Sequence, residues 1–314
     1  MQQPSLRHIV LDNPPVNGLG FELRQWLLAQ VESALADPSV DAVVLRGAGR
    51  MFCGGADIRQ FGTPKVAIHP LMREVNGRIE AAGKPFVAAL HGHALGGGLE
   101  LAMACHARVA AAGTRIGLPE VTLGIVPGGG GTQRLPRLIG TARGLDWIVT
   151  GQRVSAEEAS GYGLIDAVVG EAELVTAAED LASRLVRDTP VALHARTARS
   201  RPLSLGADEA AAFFAREQKR LASEYPGRQA PLAALRCVAA AYVRSYEEAL
   251  TLERETFLAL VDSEEAARAR AAFAARGERS PNAEKKTPND SRCEADGTAA
   301  RARPGVHARR GHPQ

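Results

Sequence analysis

Residues 85–90 (PFVAAL) form the short, uninterrupted apolar run of a fully buried strand. The chain then passes through Gly92-His93-Ala94-Leu95-Gly96-Gly97-Gly98 into a helix-forming stretch over 99–105. A buried strand that feeds a glycine turn and then a helix is a building block of an α/β sheet and argues for an α/β domain. Successive glycines let the backbone approach a ligand closely. The first N–H groups of a helix have no internal partner and carry the positive end of its dipole. The Gly97 amide is therefore a candidate donor to a developing oxyanion. A turn built only for packing is the competing reading.

The rest of the chain fits that class up to about residue 170. Residues 8–12, 40–46 and 108–110 also read as strands. Between the first two, residues 22–36 place Leu23, Trp26, Leu27, Val31 and Leu35 at helical spacing, stopped by Asp37-Pro38. Trp26 and Trp147 are expected in the core. After residue 170 the strand signals fade. Residues 171–187 and 207–275 are rich in Ala, Arg, Glu and Leu and predict helices, punctuated by Pro190, Pro202, Pro226 and Pro231. From residue 277 the chain is polar and predicted disordered. The expected organisation is a catalytic core over 1–190, a helical region over 191–276 and a tail over 277–314.

Aromatic residues are only 4% of the 314, so the core must be built mainly from Ala, Val, Leu and Ile. The net charge of +3 resides in the tail: residues 278–314 hold eight Lys/Arg and five Asp/Glu, leaving 30 of each sign in the remainder. That balance argues against a nucleic-acid partner. The four cysteines, Cys53, Cys105, Cys237 and Cys293, are scattered without CxxC spacing, which points to a reducing compartment. No secretory signal pattern opens the chain, and no apolar run reaches the ~18 residues of a membrane helix. The expectation is a soluble, cytoplasmic protein without a membrane partner.

Two carboxylates stand out. Glu100 lies three residues beyond Gly97, in the first turn of its helix. Glu120 follows Leu118-Pro119 and precedes a second glycine loop, Pro127-Gly128-Gly129-Gly130-Gly131-Thr132. Two carboxylates facing one pocket divide acid and base roles when their surroundings separate their pKa values. Taken singly, each reads as an ordinary solvated or capping glutamate. The loop 51–58 (MFCGGADI) could aim the Ala56 amide into the same space. Its rival, a dinucleotide fingerprint beginning at Gly47-Ala48-Gly49, fails because Phe52 stands at the third glycine position. His91 and His93 lack a third ligand nearby and read as structural, and no GxSxG elbow is present.

Taken in order, these pieces resemble the enoyl-CoA hydratase (crotonase) superfamily over roughly residues 5–190. The matching segments are Asn13-Pro14-Pro15-Val16-Asn17, Gly54-Gly55-Ala56-Asp57-Ile58, residues 91–101, Leu118-Pro119-Glu120, residues 127–134 (PGGGGTQR) and residues 151–167. The resemblance implies an α/β spiral of β-β-α units with a C-terminal helical region. It implies that Ala56 and Gly97 form the oxyanion hole and that Glu100 and Glu120 are the catalytic pair. It also implies that Ala56, Asp57, Ile58 and Arg59 hold the CoA moiety and that Gly128 helps seat the attacking water. No metal or other cofactor is implied, since the acyl-CoA thioester is itself the substrate.

The activity so implied is hydration of a 2-enoyl-CoA to a 3-hydroxyacyl-CoA in fatty-acid β-oxidation, a hydro-lyase reaction. The alternatives are a Δ3-Δ2-enoyl-CoA isomerase in the same site, through Glu120, and a non-catalytic acyl-CoA binder. Residues 231–276, notably Glu253-Arg254-Glu255-Thr256-Phe257 and Ala271-Ala272-Phe273, resemble the linker helices of multifunctional β-oxidation enzymes. In those a 3-hydroxyacyl-CoA dehydrogenase domain follows. Here no GxGxxG follows, so any dehydrogenase is expected as a separate partner. Family members of this length imply a homotrimer or hexamer, whereas the extra helices, folded over the core, would favour a monomer. The acyl pocket wall is expected within residues 61–75.

Overall fold

The computed structural model describes residues 3–278. Two sheets organise the chain. The first holds five parallel strands in the order β1 (Leu6–Leu11), β2 (Ala42–Gly47), β3 (Phe86–Leu90), β5 (Ala107–Ala111) and β8 (Ala167–Val169). The second holds β4 (His93–Leu95), β6 (Arg115–Gly117) and β7 (Arg153–Ser155). Helix α1 (Phe21–Ala36) joins β1 to β2, and α2 (Met72–Glu80) precedes β3. The chain alternates between sheets: β3 lies in the first, β4 in the second, and α3 (Gly97–Ala104) follows; β5 and β6 then repeat the pattern before α4 (Gly131–Ile139). This is the expected spiral of β-β-α units.

Every residue of β3 and β5 is buried, as a parallel sheet covered on both faces requires. The side chains divide with period two. Ala42, Val44, Val87 and Ala89 pack with Ala178, Ala182 and Leu185 of α7 (Leu174–Leu185). Val43, Leu45, Phe86, Ala88 and Leu90 face the larger core on the other side. Gly92 makes the step from β3 to β4 at φ 58°, where a β-carbon would lie 2.2 Å from the Arg50 carbonyl oxygen. No other residue fits there.

Helices α5 (Thr141–Thr150) and α6 (Ala156–Gly161) flank β7. After α7 come α8 (Pro190–Arg196), α9 (Ala207–Glu224), α10 (Ala230–Ala240), α11 (Tyr246–Val261) and α12 (Glu264–Glu278). These do not form a separate layer. Leu221, Val238, Phe257, Leu260 and Ala266 belong to the same apolar core as Leu99 and Leu118. Helix α11 starts with a capping box in which Ser245 and Glu248 satisfy each other's backbone amides.

Several expectations shift. The strands at 8–12 and 40–46 run over Leu6–Leu11 and Ala42–Gly47, and the helix at 99–105 begins at Gly97. The stretch 171–187 opens with one 3-10 turn, Glu171–Glu173, before α7. Trp147 is fully buried, but Trp26 is 39% exposed, because its neighbour Leu27 takes the inward face of α1. Cys53, Cys105 and Cys237 are buried free thiols. Residues 277 and 278 belong to α12; the remainder of the predicted tail and Cys293 lie outside the described residues.

Candidate active site

The turn between β4 and α3 sets the first donor. Helix α3 opens at Gly97, whose amide has no partner within the helix and donates to no other group among the described residues. Loop 53–57 is tied alongside it: the Cys53 amide donates to the His93 carbonyl at 3.0 Å and the Leu95 amide to the Cys53 carbonyl at 3.0 Å. This bridge carries Ala56 to the mouth of α3. A β-carbon on Gly97 would lie 3.5 Å from the Ala56 nitrogen and 3.8 Å from a Glu100 oxygen. The Ala56 amide is likewise unpartnered among the described residues. Two free amides and one carboxylate thus share a small volume.

Glu100 is buried on α3, and its Oε1 accepts from the amides of Gly129 and Gly131, both at 2.8 Å. Burial raises its pKa. The Gly131 and Gly129 amides, then the Arg134 and Arg254 charges, pull it back. Glu120 sits in the 3-10 turn Pro119–Leu123, and one oxygen would lie 3.0 Å from a β-carbon on Gly96. Its Oε2 is buried without a hydrogen-bond partner. Burial first, and the Glu100 charge second, raise the Glu120 pKa well above the ordinary carboxylate range. Glu100 holds two loop amides against its burial, whereas Glu120 has only its own backbone amide against burial and two neighbouring carboxylates, so the two surroundings differ in the way that separates a base from an acid.

The loop that serves Glu100 is held from several sides. The Gly129 carbonyl accepts from Asn76 Nδ2 at 2.9 Å and from Arg134 Nη1 at 2.8 Å. Arg134 is fully buried and pairs with Glu80 at 3.0 Å. Gly130 adopts φ 105°, and a β-carbon there would strike Arg134 at 1.8 Å. From α11, Glu253 accepts from the Gly130 amide at 2.6 Å and from the Thr132 amide and hydroxyl at 2.8 and 2.5 Å. Burial and the Glu100 charge push Glu253 up to about 8, against the pull of its Thr132 and Gly130 donors.

Leu19, Ala56, Asp57, Gly97, Glu100, Glu120, Gly128 and Gly129 line one pocket, a cavity of about 70 Å³ that opens to solvent. Its apolar wall comes from Phe61, Val66, Leu71, Met72, Ile125 and Phe257. Four of these lie within residues 61–75; Ile125 and Phe257 do not. Phe257 of α11 meets Phe61 edge-on at 5.7 Å. Gly128 faces Phe257, and its amide donates to no group among the described residues. Arg24 closes the wall by donating to the carbonyls of Lys65, Ile68 and Pro70. Arg59 is exposed and chelates the Asp57 carboxylate at 2.8 and 3.0 Å; it borders an adjoining surface groove that also contains Asp57 and Trp26. Ile58 lines neither space. The pocket therefore gathers Ala56, Asp57, Gly97, Glu100, Glu120 and Gly128, and leaves Arg59 at its rim.

His91 Nε2 contacts the Gly49 carbonyl at 3.0 Å, and His93 lies half-buried away from the pocket lining. Among the described residues no group of three His, Cys, Asp or Glu is placed to hold a metal ion. No described helix is long and apolar enough to cross a membrane.

Residues 2–224 match the family model described as enoyl-CoA hydratase/isomerase. The chain belongs to that family. It is 43% identical over 265 residues to the peroxisomal bifunctional enzyme of Danio rerio, a match covering 83% of this chain and 35% of that protein. It is 41% identical over 191 residues to a probable enoyl-CoA hydratase of Bacillus subtilis (strain 168), covering 59% and 74% of the two chains. Among solved structures, an enoyl-CoA hydratase from Bacillus anthracis superposes with a TM-score of 0.57 at 28% identity, covering 88% of this chain and 95% of that one. The chain thus spans about a third of the length of the bifunctional relative. Residues that sequence reasoning did not place in the site are Glu253, Phe257 and Arg24. Glu253 and Phe257 fall in the segment that resembles the multifunctional enzymes, but no local pattern ties them to residues 128–132.

Proposed function

We propose that this chain hydrates 2-enoyl-CoA thioesters to 3-hydroxyacyl-CoA, as a step of fatty-acid β-oxidation. The observation that carries the reading is the convergence of two unpartnered amides, Ala56 and Gly97, with two carboxylates of different surroundings in one apolar-walled pocket. The amides take the thioester oxygen and stabilise the enolate-like charge that develops on it. Each such donor lowers the barrier by roughly 3 kcal/mol. Glu100 removes a proton from a water seated beside Gly128, the water oxygen bonds to C3, and Glu120 delivers a proton to C2. The elements of water are thereby added and both glutamates are left to exchange protons with solvent. In this reading Asp57, in the pocket, and Arg59, in the adjoining groove, take the CoA portion, and the steps call for no metal or redox group.

The unpartnered Glu120 oxygen favours a second reaction in the same pocket. A single carboxylate that shuttles a proton between C4 and C2 converts a 3-enoyl-CoA to the 2-enoyl isomer. A mere acyl-CoA binder has no need of two carboxylates in its pocket. A 3-hydroxyacyl-CoA dehydrogenase activity would consume the product. Helices α10 to α12 fold onto the core of their own chain, which favours a monomer over the trimer or hexamer. Three buried free thiols support a reducing, cytoplasmic setting, while the bifunctional relatives carry names that place them in peroxisomes or glyoxysomes.

The direct test is loss of the conjugated enoyl-thioester absorbance when purified protein meets crotonyl-CoA. Rapid loss supports the hydratase reading. No loss with crotonyl-CoA or with longer 2-enoyl chains moves the assignment to isomerase or binder.

A further inference from the structure

Four successive amides in the loop leading into α4 are shared alternately by two glutamates. Gly129 and Gly131 donate to Glu100, and Gly130 and Thr132 donate to Glu253. The two acids approach from opposite sides, one on α3 and the other on α11. Helix α11 lies beyond the stretch 2–224 that the family model matches.

We infer that Glu253 is a positioning residue for hydration: it holds the Gly130 and Thr132 amides, so that the Gly129 and Gly131 amides stay aimed at Glu100. The argument is geometric. Adjacent amides in this turn point in alternating directions, so anchoring one pair fixes the other. Thr132 adds a second grip through its hydroxyl, which also accepts from Gln133 Nε2 at 3.0 Å. Both Glu253 oxygens thus face donors, and Glu253 does not line the pocket. A carboxamide in place of the Glu253 carboxylate leaves one acceptor oxygen where two now serve the Gly130 and Thr132 amides, and turns an NH2 donor toward the other amide. Glu100 then becomes the only carboxylate within the turn's reach, and the loop rotates toward it. Glu100 is displaced from the water it must deprotonate. The thioester amides stand on a different turn and stay in place.

The inference rests on the reading of Glu100 as the residue that activates water, and the experiment separates the two. Steady-state hydration of crotonyl-CoA is compared for wild type, Glu253→Gln and Thr132→Val, with the thermal midpoint of each. A wild type that does not hydrate sinks the functional reading. Given an active wild type, kcat of a folded Glu253→Gln should fall by roughly a hundredfold, as misplacement by about 1 Å does, with KM little changed. Unchanged kcat, or a loss carried by KM, overturns the positioning role. Should Glu253→Gln not fold, Thr132→Val, which removes only one donor, decides the matter. A kcat reduced by about tenfold at constant KM supports the role, and wild-type kcat overturns it.

Discussion

Ala56 and Gly97 come from separate loops, yet a β-carbon added to Gly97 would sit 3.5 Å from the Ala56 nitrogen. The same methyl group would meet Leu19 at 3.3 Å, a contact that a small shift of that side chain relieves. Gly97→Ala should therefore fold with a thermal midpoint near that of the wild type while filling the space meant for the thioester oxygen. Loss of one oxyanion contact costs about a hundredfold or more in kcat. Steady-state kinetics and a melting curve on the same sample check this, and an active Gly97→Ala enzyme would displace the oxyanion hole from this turn.

The two catalytic carboxylates predict a bell-shaped pH dependence of hydration. Glu100 must be ionised, so activity falls on the acid side as it gains a proton, at a pH above that of an ordinary glutamate because its pKa is raised. Glu120 must be protonated, so activity falls on the alkaline side as it loses its proton, higher still. The limbs belong to the coupled pair and not to either residue alone. The Glu100 charge helps raise Glu120, so Glu100→Gln should move the Glu120 ionisation to lower pH. A pH profile of residual isomerisation in that variant reads the shift.

His106 offers a stability prediction independent of function. Burial first, and the Arg108 charge second, hold its pKa down at about 4 against an ordinary 6.5. Its Nδ1 accepts the Phe86 amide at 3.0 Å, a bond that only the neutral ring can make. A depressed folded-state pKa means that the unfolded chain binds the proton more readily. Stability is then full above pH 6.5 and declines as the pH falls toward 4. The loss approaches about 3 kcal/mol at the acid end. Urea midpoints across that window should drop further for wild type than for His106→Asn, which can accept the Phe86 amide without titrating. Parallel curves would refute it.

Much of the site was legible because its residues are local to glycine turns. Gly96-Gly97-Gly98 with Glu100 announces a strand, a turn and a helix N-terminus within one short segment. Leu118-Pro119-Glu120 places a carboxylate beside a turn in the same way. Strands β4, β6, β7 and β8 were not legible, since three residues carry no readable period. Nor was Trp26, whose helical spacing fits the core but whose neighbour Leu27 occupies it. Glu253 and Phe257 lie far along the chain from Gly130 and Gly128. Only the folding of α11 over the core brings them there, and nothing in the local sequence encodes that long-range contact.

The division of labour between the two glutamates is the central claim, and paired variants test it most directly. Glu100→Gln and Glu120→Gln are assayed for hydration of crotonyl-CoA and for isomerisation of a 3-enoyl-CoA. The account predicts that hydration collapses in both variants, whereas isomerisation survives in Glu100→Gln and is lost in Glu120→Gln. Rapid hydration by Glu100→Gln, or isomerisation by Glu120→Gln, would contradict it.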